Sequence, residues 1–340
     1  MTPQALAVLG ALAAARSELP EAELLRLLTR AGVGPEAREA LASLRATGQI
    51  VTRPRGLALS TLGLDAFLAV SAAIDRALDP SPPAAGLDEC PSLPWITSVR
   101  TEWIEAVSIN YAVVPEALGH LLPAPLEPEL HRGTAWVQVL MSSLRDLRPQ
   151  GLAQLFGVCF YQVSYRAAVV FRRADGSVRR GGYFLRSETN DPLMRAIGNR
   201  LAEFRFHDFG DATMVVVRDG ERLTLGVDPD GEHPGGRLFA TIDTRPLPGP
   251  PPGSLWTSLE DLREPLVECY DALGVDPEAG WLYVLTIDRE PWRARFVTPI
   301  ELYLEWFDSG PLGGGLARLD SVLHLERCAY SWRPLRRERL

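Results

Sequence analysis

The sequence predicts an α+β protein in which a helical unit of about 78 residues precedes a β-rich unit with a curved antiparallel sheet or barrel. Leucines at helical spacing, as in "PEAELLRLLTRA", mark the first part of the chain. From Trp95 onward, alternating apolar runs such as "ATMVVVRDGERLTLGV" are typical of strands. Turns such as "RADGS" separate neighbouring runs at hairpin distance, which favours antiparallel pairing.

Residues 1–78 form the predicted helical unit. Helices are expected at about 3–16, 20–31 and 35–47, and the third ends at Gly48. "IVTRPRGLALS" then predicts two short strands around a Pro-Arg-Gly turn, and a long helix follows at about 62–78. This order of elements resembles a winged helix-turn-helix domain.

A winged helix that binds DNA would place its third helix in the major groove and its wing on phosphates. The candidate DNA contacts are Arg38, Arg45, Arg53 and Arg55. Residues 1–80 carry eight arginines and eight acids, so their charge is balanced, whereas typical DNA readers concentrate positive charge on one face. The sequence therefore leaves two alternatives for this unit: DNA binding, or dimerisation or docking to a protein. A homo-oligomer is compatible with both.

Residues 79–94 are rich in Pro, Ala and Gly and predict an interdomain linker. The β-rich domain is expected over 95–340. Its predicted strands lie at 134–144, 158–173, 179–187, 212–227 and 237–246. Its predicted helices lie at 115–121, 192–204 and 258–273, the second with Asp191 as N-cap and Pro192 as first helical residue.

The basic residues exclude one class of chemistry. All 35 are Arg, and the chain has no Lys. Arg stays protonated, whereas imine formation needs an amine that loses its proton. A lysine Schiff base, covalent pyridoxal phosphate and the phosphate lysine of a P-loop are therefore excluded. A GC-rich bacterial genome explains the bias towards Arg.

Cofactor and membrane signals are weak in this sequence. The four cysteines are widely spaced and the five histidines lack metal-ligand spacing, so we expect no metal, no cofactor and a reducing cytoplasm. The apolar stretch at 5–15 lacks a preceding positive charge and is predicted to be a helix rather than a signal peptide. No apolar run is long enough to span a bilayer. A net charge of −8 argues against a general nucleic-acid coat protein.

Five sequence blocks in the β-rich domain carry a resemblance to a known family. They lie at 109–140, 163–169, 181–214, 253–270 and 289–292, and include "VSYRAAV" and "REPW". Together they resemble the YqjF-like uncharacterised family (domain of unknown function 2071), a relative of acetoacetate decarboxylase, over about 97–308. The sequence departs from that pattern at Ser164, Ala168 and Arg289.

The resemblance implies an acetoacetate decarboxylase-like fold, which is a curved antiparallel sheet around an internal pocket. In acetoacetate decarboxylases a pocket lysine forms the imine with the substrate, and by block order it would fall near 204–208. Because this chain has no Lys, that route is not available to it. The resemblance therefore predicts a fold but does not identify a reaction.

Four residues are candidate ligand contacts: Arg166, Glu188, Arg200 and His207. Arg166 lies in an apolar strand, where it would grip a carboxylate or pair with Glu188. Glu188 and His207 are also the catalytic candidates, since a desolvated carboxyl or an imidazole transfers protons near neutral pH. Each has a structural alternative: a solvated turn for Glu188, an exposed helix position for Arg200 and a buried structural role for His207.

Three functions follow from these observations. The first is a ligand-responsive regulator, in which the β domain binds a small, acidic, apolar metabolite and the winged helix contacts DNA or a protein. The second is an enzyme that uses Arg166, Glu188 and His207 without lysine. The third is a non-catalytic docking protein with a pocket filled by side chains.

Overall fold

The computed structural model describes most of the β-rich part of the chain and selected elements of the N-terminal part. The described residues are 5, 8, 20–30, 37–53, 56–59, 88–89, 99–149, 157–192, 194–195, 199, 206–231, 235–333 and 335–340. The chain divides into two compact units. One comprises 1–82, 91–101 and 146–159, and the other 83–90, 102–145 and 160–340.

The described residues of the first unit include two helices followed by a small hairpin, in the order predicted. These elements are α1 (Glu21–Arg30), α2 (Ala37–Ala46), β1 (Ile50–Arg53) and β2 (Gly56–Leu59). The two strands pair antiparallel. The helix predicted at 62–78 and most of the one at 3–16 lie outside the described residues, so the winged helix stays a prediction.

Helix α2 ends where the glycine at position 48 predicts. Gly48 adopts a left-handed backbone with φ of 72°. Its N–H donates to the carbonyl of Arg45, and the N–H of Gln49 donates to the carbonyl of Leu44. This pair of bonds satisfies carbonyls that the helix end leaves without partners, and glycine adopts the required conformation without steric cost.

The second unit is mostly β-sheet, with little helix. Its strands, some of which begin or end in the first unit, are β3 (Asp88–Glu89), β4 (Val99–Val113), β5 (Glu127–Pro128), β6 (Ala135–Pro149), β7 (Val158–Arg172), β8 (Val178–Thr189), β9 (Phe209–Asp219), β10 (Arg222–Pro229), β11 (Leu238–Asp243), β12 (Asp271–Asp276), β13 (Trp281–Arg289), β14 (Ala294–Phe296), β15 (Thr298–Leu304), β16 (Ala317–Leu325), β17 (Cys328–Trp332) and β18 (Arg336–Arg339). Among the described residues, the short helices with both ends defined are α3 (Pro115–Gly119), α4 (Leu259–Leu262) and α5 (Glu305–Asp308).

Antiparallel pairing dominates this sheet, as expected. The order β9, β10, β11, β15 is antiparallel throughout, and β7 and β8 form a long antiparallel hairpin. Two parallel contacts, β8 with β9 and β8 with β12, interrupt the pattern at the centre. Strand β3 lies within the predicted linker and pairs with β18.

One face of the sheet carries the hydrophobic core, and we call it the inner face. Alternate residues of the long strands point to it, as the period of two requires. On β7 these are Val163, Tyr165, Ala167, Val169 and Phe171, all buried in one apolar cluster. The residues between them point to the opposite, outer face.

One predicted helix differs from the structure. The helix predicted at 258–273 is shorter: α4 begins after Ser258, whose side chain accepts from the N–H of Asp261, and a π-helical turn ends at Val267. Strand β12 begins at Asp271, within the predicted helix, because the apolar residues of "LVECYDALGV" fit a strand as well as a helix. No helix among the described residues is long and apolar enough to cross a membrane.

Candidate functional site

The hairpin of β7 and β8 carries Arg166 and Glu188 on opposite faces. Glu188 is opposite Val163 on the inner face, and Arg166 is opposite Phe184 on the outer face. A β-bulge between Tyr165 and Arg166 shifts the register between these pairs. The predicted contact between Arg166 and Glu188 is therefore wrong, because residues on opposite faces of one hairpin do not meet.

Arg166 is held in a buried polar network on the outer face. Its guanidinium donates to the side-chain oxygen of Gln138 and, at 2.7 Å, to the carbonyl of Leu266. Gln138 in turn donates to Asn110, which donates to Ser321 at 3.2 Å. Because every member has protein partners, the network is a structural brace, consistent with the structural alternative for Arg166.

His207 also lies on the outer side and is neutral. Its Nδ1 is 2.8 Å from the hydroxyl oxygen of Ser187, and its ring stacks against Phe184 and Phe209. Burial lowers the pKa of His207 to about 3. Since Ser187 alternates with Glu188 along β8, His207 and Glu188 occupy different sides of the sheet. The expected trio of Arg166, Glu188 and His207 is not assembled.

Glu188 pairs with Arg186 on the inner face. The two residues are separated by one position on β8, so both side chains point the same way, and the guanidinium Nε donates to Oε1 of Glu188. Glu188 is fully buried. Burial raises the pKa of Glu188 to about 7, although the Arg186 guanidinium opposes that rise. The predicted solvated turn is therefore wrong for Glu188.

Aromatic side chains border this ion pair. Tyr165 is directly opposite Arg186 in the hairpin, and its ring packs edge-on against Trp306 at 5.0 Å. Tyr111 stacks on Phe307 with ring centroids 3.8 Å apart. Burial raises the pKa of both tyrosines, so their hydroxyls stay protonated.

Two buried polar atoms in this cluster have no hydrogen-bond partner among the described residues. They are Oε2 of Glu188 and the hydroxyl oxygen of Tyr165. An unsatisfied buried polar atom costs about 1–3 kcal/mol, and folded proteins contain few of them. Fifteen buried side-chain atoms in the described part of the chain lack a hydrogen-bond partner, and these two are the ones that belong to the cluster around the Arg186–Glu188 ion pair.

Sequence reasoning overlooked Arg186 and Gly236. A Cβ at Gly236 would lie 2.5 Å from both Nε and Nη2 of Arg186, so only glycine lets the loop backbone pass this close to the guanidinium. The spacing of Arg186 and Glu188 along a predicted strand was the available signal for a shared face. Nothing in the sequence pattern marks Gly236.

The remaining candidates divide between described and undescribed residues. Arg200 and Arg55 lie outside the described residues. Arg38 is exposed, Arg53 ends β1, and Arg45 forms an ion pair with Glu21 at 2.8 Å. Their role in DNA binding stays a prediction.

The segment that follows Glu188 begins a helix, as predicted. The Asp191 carboxylate accepts from the N–H of Met194 at 2.7 Å, which is the hydrogen bond of an N-cap. Pro192 then occupies the first helical position. The polar residues from Thr189 to Pro192 therefore need no catalytic explanation.

Two cavities lie away from this cluster. A groove of about 370 Å³ opens on the outer face of β9, β10, β11 and β15, between Val215, Phe239 and Tyr303. A void of about 10 Å³ adjoins Glu105 and Met141. Within the described part of the chain, no group of three or more His, Cys, Asp or Glu residues is placed to hold a metal ion.

Comparison with known proteins gives a family and several fold relatives. The model of the family DUF2071, described as an uncharacterized conserved protein, matches residues 100–305. None of the curated proteins matches the chain.

Three solved structures are among those similar to this chain. The enduracididine biosynthesis enzyme MppR complexed with pyruvate has a TM-score of 0.47 at 16% identity, covering 76% of this chain and 98% of its own. Acetoacetate decarboxylase from Legionella pneumophila has a TM-score of 0.44 at 15% identity, covering 79% and 95%. An acetoacetate decarboxylase-like enzyme from Sphingomonas wittichii RW1 has a TM-score of 0.44 at 12% identity, covering 76% and 98%.

Proposed function

This chain belongs to the DUF2071 family of uncharacterized conserved proteins, and from that premise we propose that its β-rich unit binds a small molecule at Glu188 and Arg186. The observation that carries the proposal is the pair of buried atoms without hydrogen-bond partners, Glu188 Oε2 and the Tyr165 hydroxyl oxygen. A ligand that bonds to both removes two desolvation penalties on binding. Trp306 and Phe307 supply the apolar surface that small-molecule sites usually present.

A second candidate function is proton transfer to or from that ligand. The observation in its favour is a Glu188 pKa of about 7, since a general acid or base works best when its pKa lies near the working pH. This version relies on Glu188 with Arg186 and Tyr165, whereas the sequence favoured Arg166 and His207. It forms no imine, because the chain has no Lys.

Native mass spectrometry of the purified full chain tests ligand binding directly. We expect a small molecule to be retained by the wild type and lost from the Arg186→Met/Glu188→Gln variant, which keeps the shape of the pair without its charges. Glu127→Gln is the matched control, because Glu127 forms an exposed ion pair with Arg172 on the same sheet. Equal retention by all three proteins contradicts the assigned site. A protein that retains nothing and shows no thermal shift with a metabolite panel supports docking instead.

We further propose that the helical unit couples this site to DNA. The exposed Arg38 on α2 and the hairpin of β1 and β2 support it. Electrophoretic shift of duplexes, including the promoter of its own gene, should weaken with salt and with Arg38→Ala. Glu39→Gln, which removes an adjacent acid, should strengthen it. Absence of a shift with any duplex at low salt contradicts this role and favours a protein partner or a second copy of the chain.

A further inference from the structure

Arg186, Glu188 and Tyr165 form the interior cluster, and its net charge and its hydrogen-bond donors change when Glu188 gains one proton. When Glu188 is ionised, the Arg186–Glu188 pair has no net charge, and Glu188 Oε2 is an acceptor. When Glu188 is protonated, the cluster carries one positive charge and offers three kinds of donor: the guanidinium N–H groups, the Tyr165 hydroxyl and the carboxyl O–H. That set matches a small oxyanion, whose oxygens accept hydrogen bonds and whose charge balances the guanidinium.

The guanidinium is bordered on two sides. Tyr165 is its direct neighbour across the hairpin, and a Cβ at Gly236 would lie 2.5 Å from Nε and Nη2. When the Glu188 carboxylate moves away, the guanidinium keeps these two neighbours. A buried ion pair is close to energetically neutral, so its exchange for a ligand of the same charge costs little.

We infer that the interior site takes a monoanion by exchange: the ligand replaces the Glu188 carboxylate on Arg186, and Glu188 takes up one proton from solvent. The only covalent change is the O–H bond formed on Glu188, and the net charge of the buried cluster with its ligand stays at zero. The inference rests on the proposed ligand site and adds the charge of the ligand and its dependence on pH.

The other titratable groups around Glu188 are compatible with this exchange. Among the described residues, Arg186 on β8 and Tyr165 on β7 interact electrostatically with Glu188, and Tyr111 on β4 and Glu305 at the start of α5 interact with Tyr165. Glu305 already accepts from the backbone N–H of Arg237 at 3.1 Å. Strand β9 places Gly210 opposite Glu188 and contributes no charge there. Glu188 is thus the group that titrates near neutral pH, consistent with its raised pKa.

Isothermal titration of the full chain with monocarboxylates from acetate to octanoate, and with benzoate, tests the inference. Binding should be about tenfold tighter near pH 6 than near pH 8, because a carboxyl with a pKa of about 7 is mostly protonated at the first and mostly ionised at the second. Repeating the titration near pH 8 in buffers of different ionisation enthalpy should show close to one proton taken up. Glu188→Gln, which mimics the protonated state, should bind with no pH dependence and no proton uptake. Arg186→Gln should lose binding, and Glu127→Gln should behave as the wild type.

The corresponding amides separate this inference from the proposed function. Amides that bind as tightly as the acids, or acids that bind without proton uptake, overturn the monoanion exchange and leave a ligand site. If neither series binds and no molecule is retained by the purified chain, both the exchange and the ligand site are wrong.

Discussion

Arg166 and Glu188 lie on opposite faces of the same hairpin, separated by the register of β7 and β8. Each residue binds a different partner: Arg166 is hydrogen-bonded to Gln138, and Glu188 is hydrogen-bonded to Arg186. The two charged groups therefore have separate consequences for stability and binding. Arg166 takes part in a buried hydrogen-bond network on the outer face, while Glu188 forms an ion pair on the inner face.

Glu188 should make the protein less stable as the pH rises from about 4.5 to about 7. Its folded pKa of about 7 lies above the ordinary value of 4.5, so the folded state binds more protons in that window, and the free energy of unfolding falls as those protons leave. The shift corresponds to roughly 3 kcal/mol. Urea unfolding of wild type and Glu188→Gln at several pH values measures this, and the variant should gain relative stability with pH. Parallel pH curves for the two proteins, or the same gain in Glu127→Gln, would contradict it.

Replacing Arg186 alone should destabilise the protein much more than replacing both Arg186 and Glu188. Arg186→Met leaves the Glu188 carboxyl buried without its cation, which costs about 3–5 kcal/mol when that carboxyl is ionised. The cost should shrink as the pH falls, because Glu188 is then neutral. In Arg186→Met/Glu188→Gln most of the stability should return. A double-mutant cycle above pH 7 gives the coupling energy, and additive effects would show that the two side chains do not interact.

Gly236→Ala should disturb the same guanidinium through the backbone. A Cβ at this position lies 2.5 Å from Arg186, so the side chain or the loop must move. We expect a loss of about 1–3 kcal/mol in stability and weaker binding of monocarboxylates. Gly231→Ala is the control, since a Cβ there meets nothing within 4 Å. Similar behaviour of the two variants would show that the close approach of Gly236 has no consequence.

Arg166→Met should lower stability without affecting the inner site. It leaves Gln138 Oε1 and the Leu266 carbonyl without their donor, which costs about 2–4 kcal/mol. Because Arg166 is on the outer face, the affinity for carboxylates and its pH dependence should match the wild type when both are compared well below the unfolding temperature. A tenfold loss of affinity in a folded Arg166→Met protein would place Arg166 in the binding site after all.

The sequence predicted β1, β2 and the strands from β6 to β11 with their alternation, because a half-buried strand imposes a period of two on its own residues. It did not predict β3 to β5 or β12 to β18. It also predicted the C-terminal end of α2 from Gly48 and the start of the helix at Pro192 from its capping residue. It did not predict the partner of Glu188, because the face on which a charge lies depends on register. A slip of one residue moves every side chain of a strand to the other face, and here a bulge at Tyr165 shifts the register within the hairpin. Gly236 and Arg186 are far apart in the sequence and meet only in the folded chain, so no local sequence pattern predicts their contact.

The Tyr165→Phe variant separates two effects of the Tyr165 hydroxyl: its destabilisation of the ligand-free protein and its contribution to ligand affinity. The hydroxyl is buried without a partner among the described residues, so its removal should leave the ligand-free protein as stable as before or more stable by about 1 kcal/mol. The same change should weaken monocarboxylate binding, because a donor to the ligand is lost. Thermal unfolding with and without benzoate gives both quantities from one pair of proteins. A clear loss of stability without ligand would mean that the hydroxyl has a partner in the folded protein, and unchanged benzoate binding would remove Tyr165 from the site.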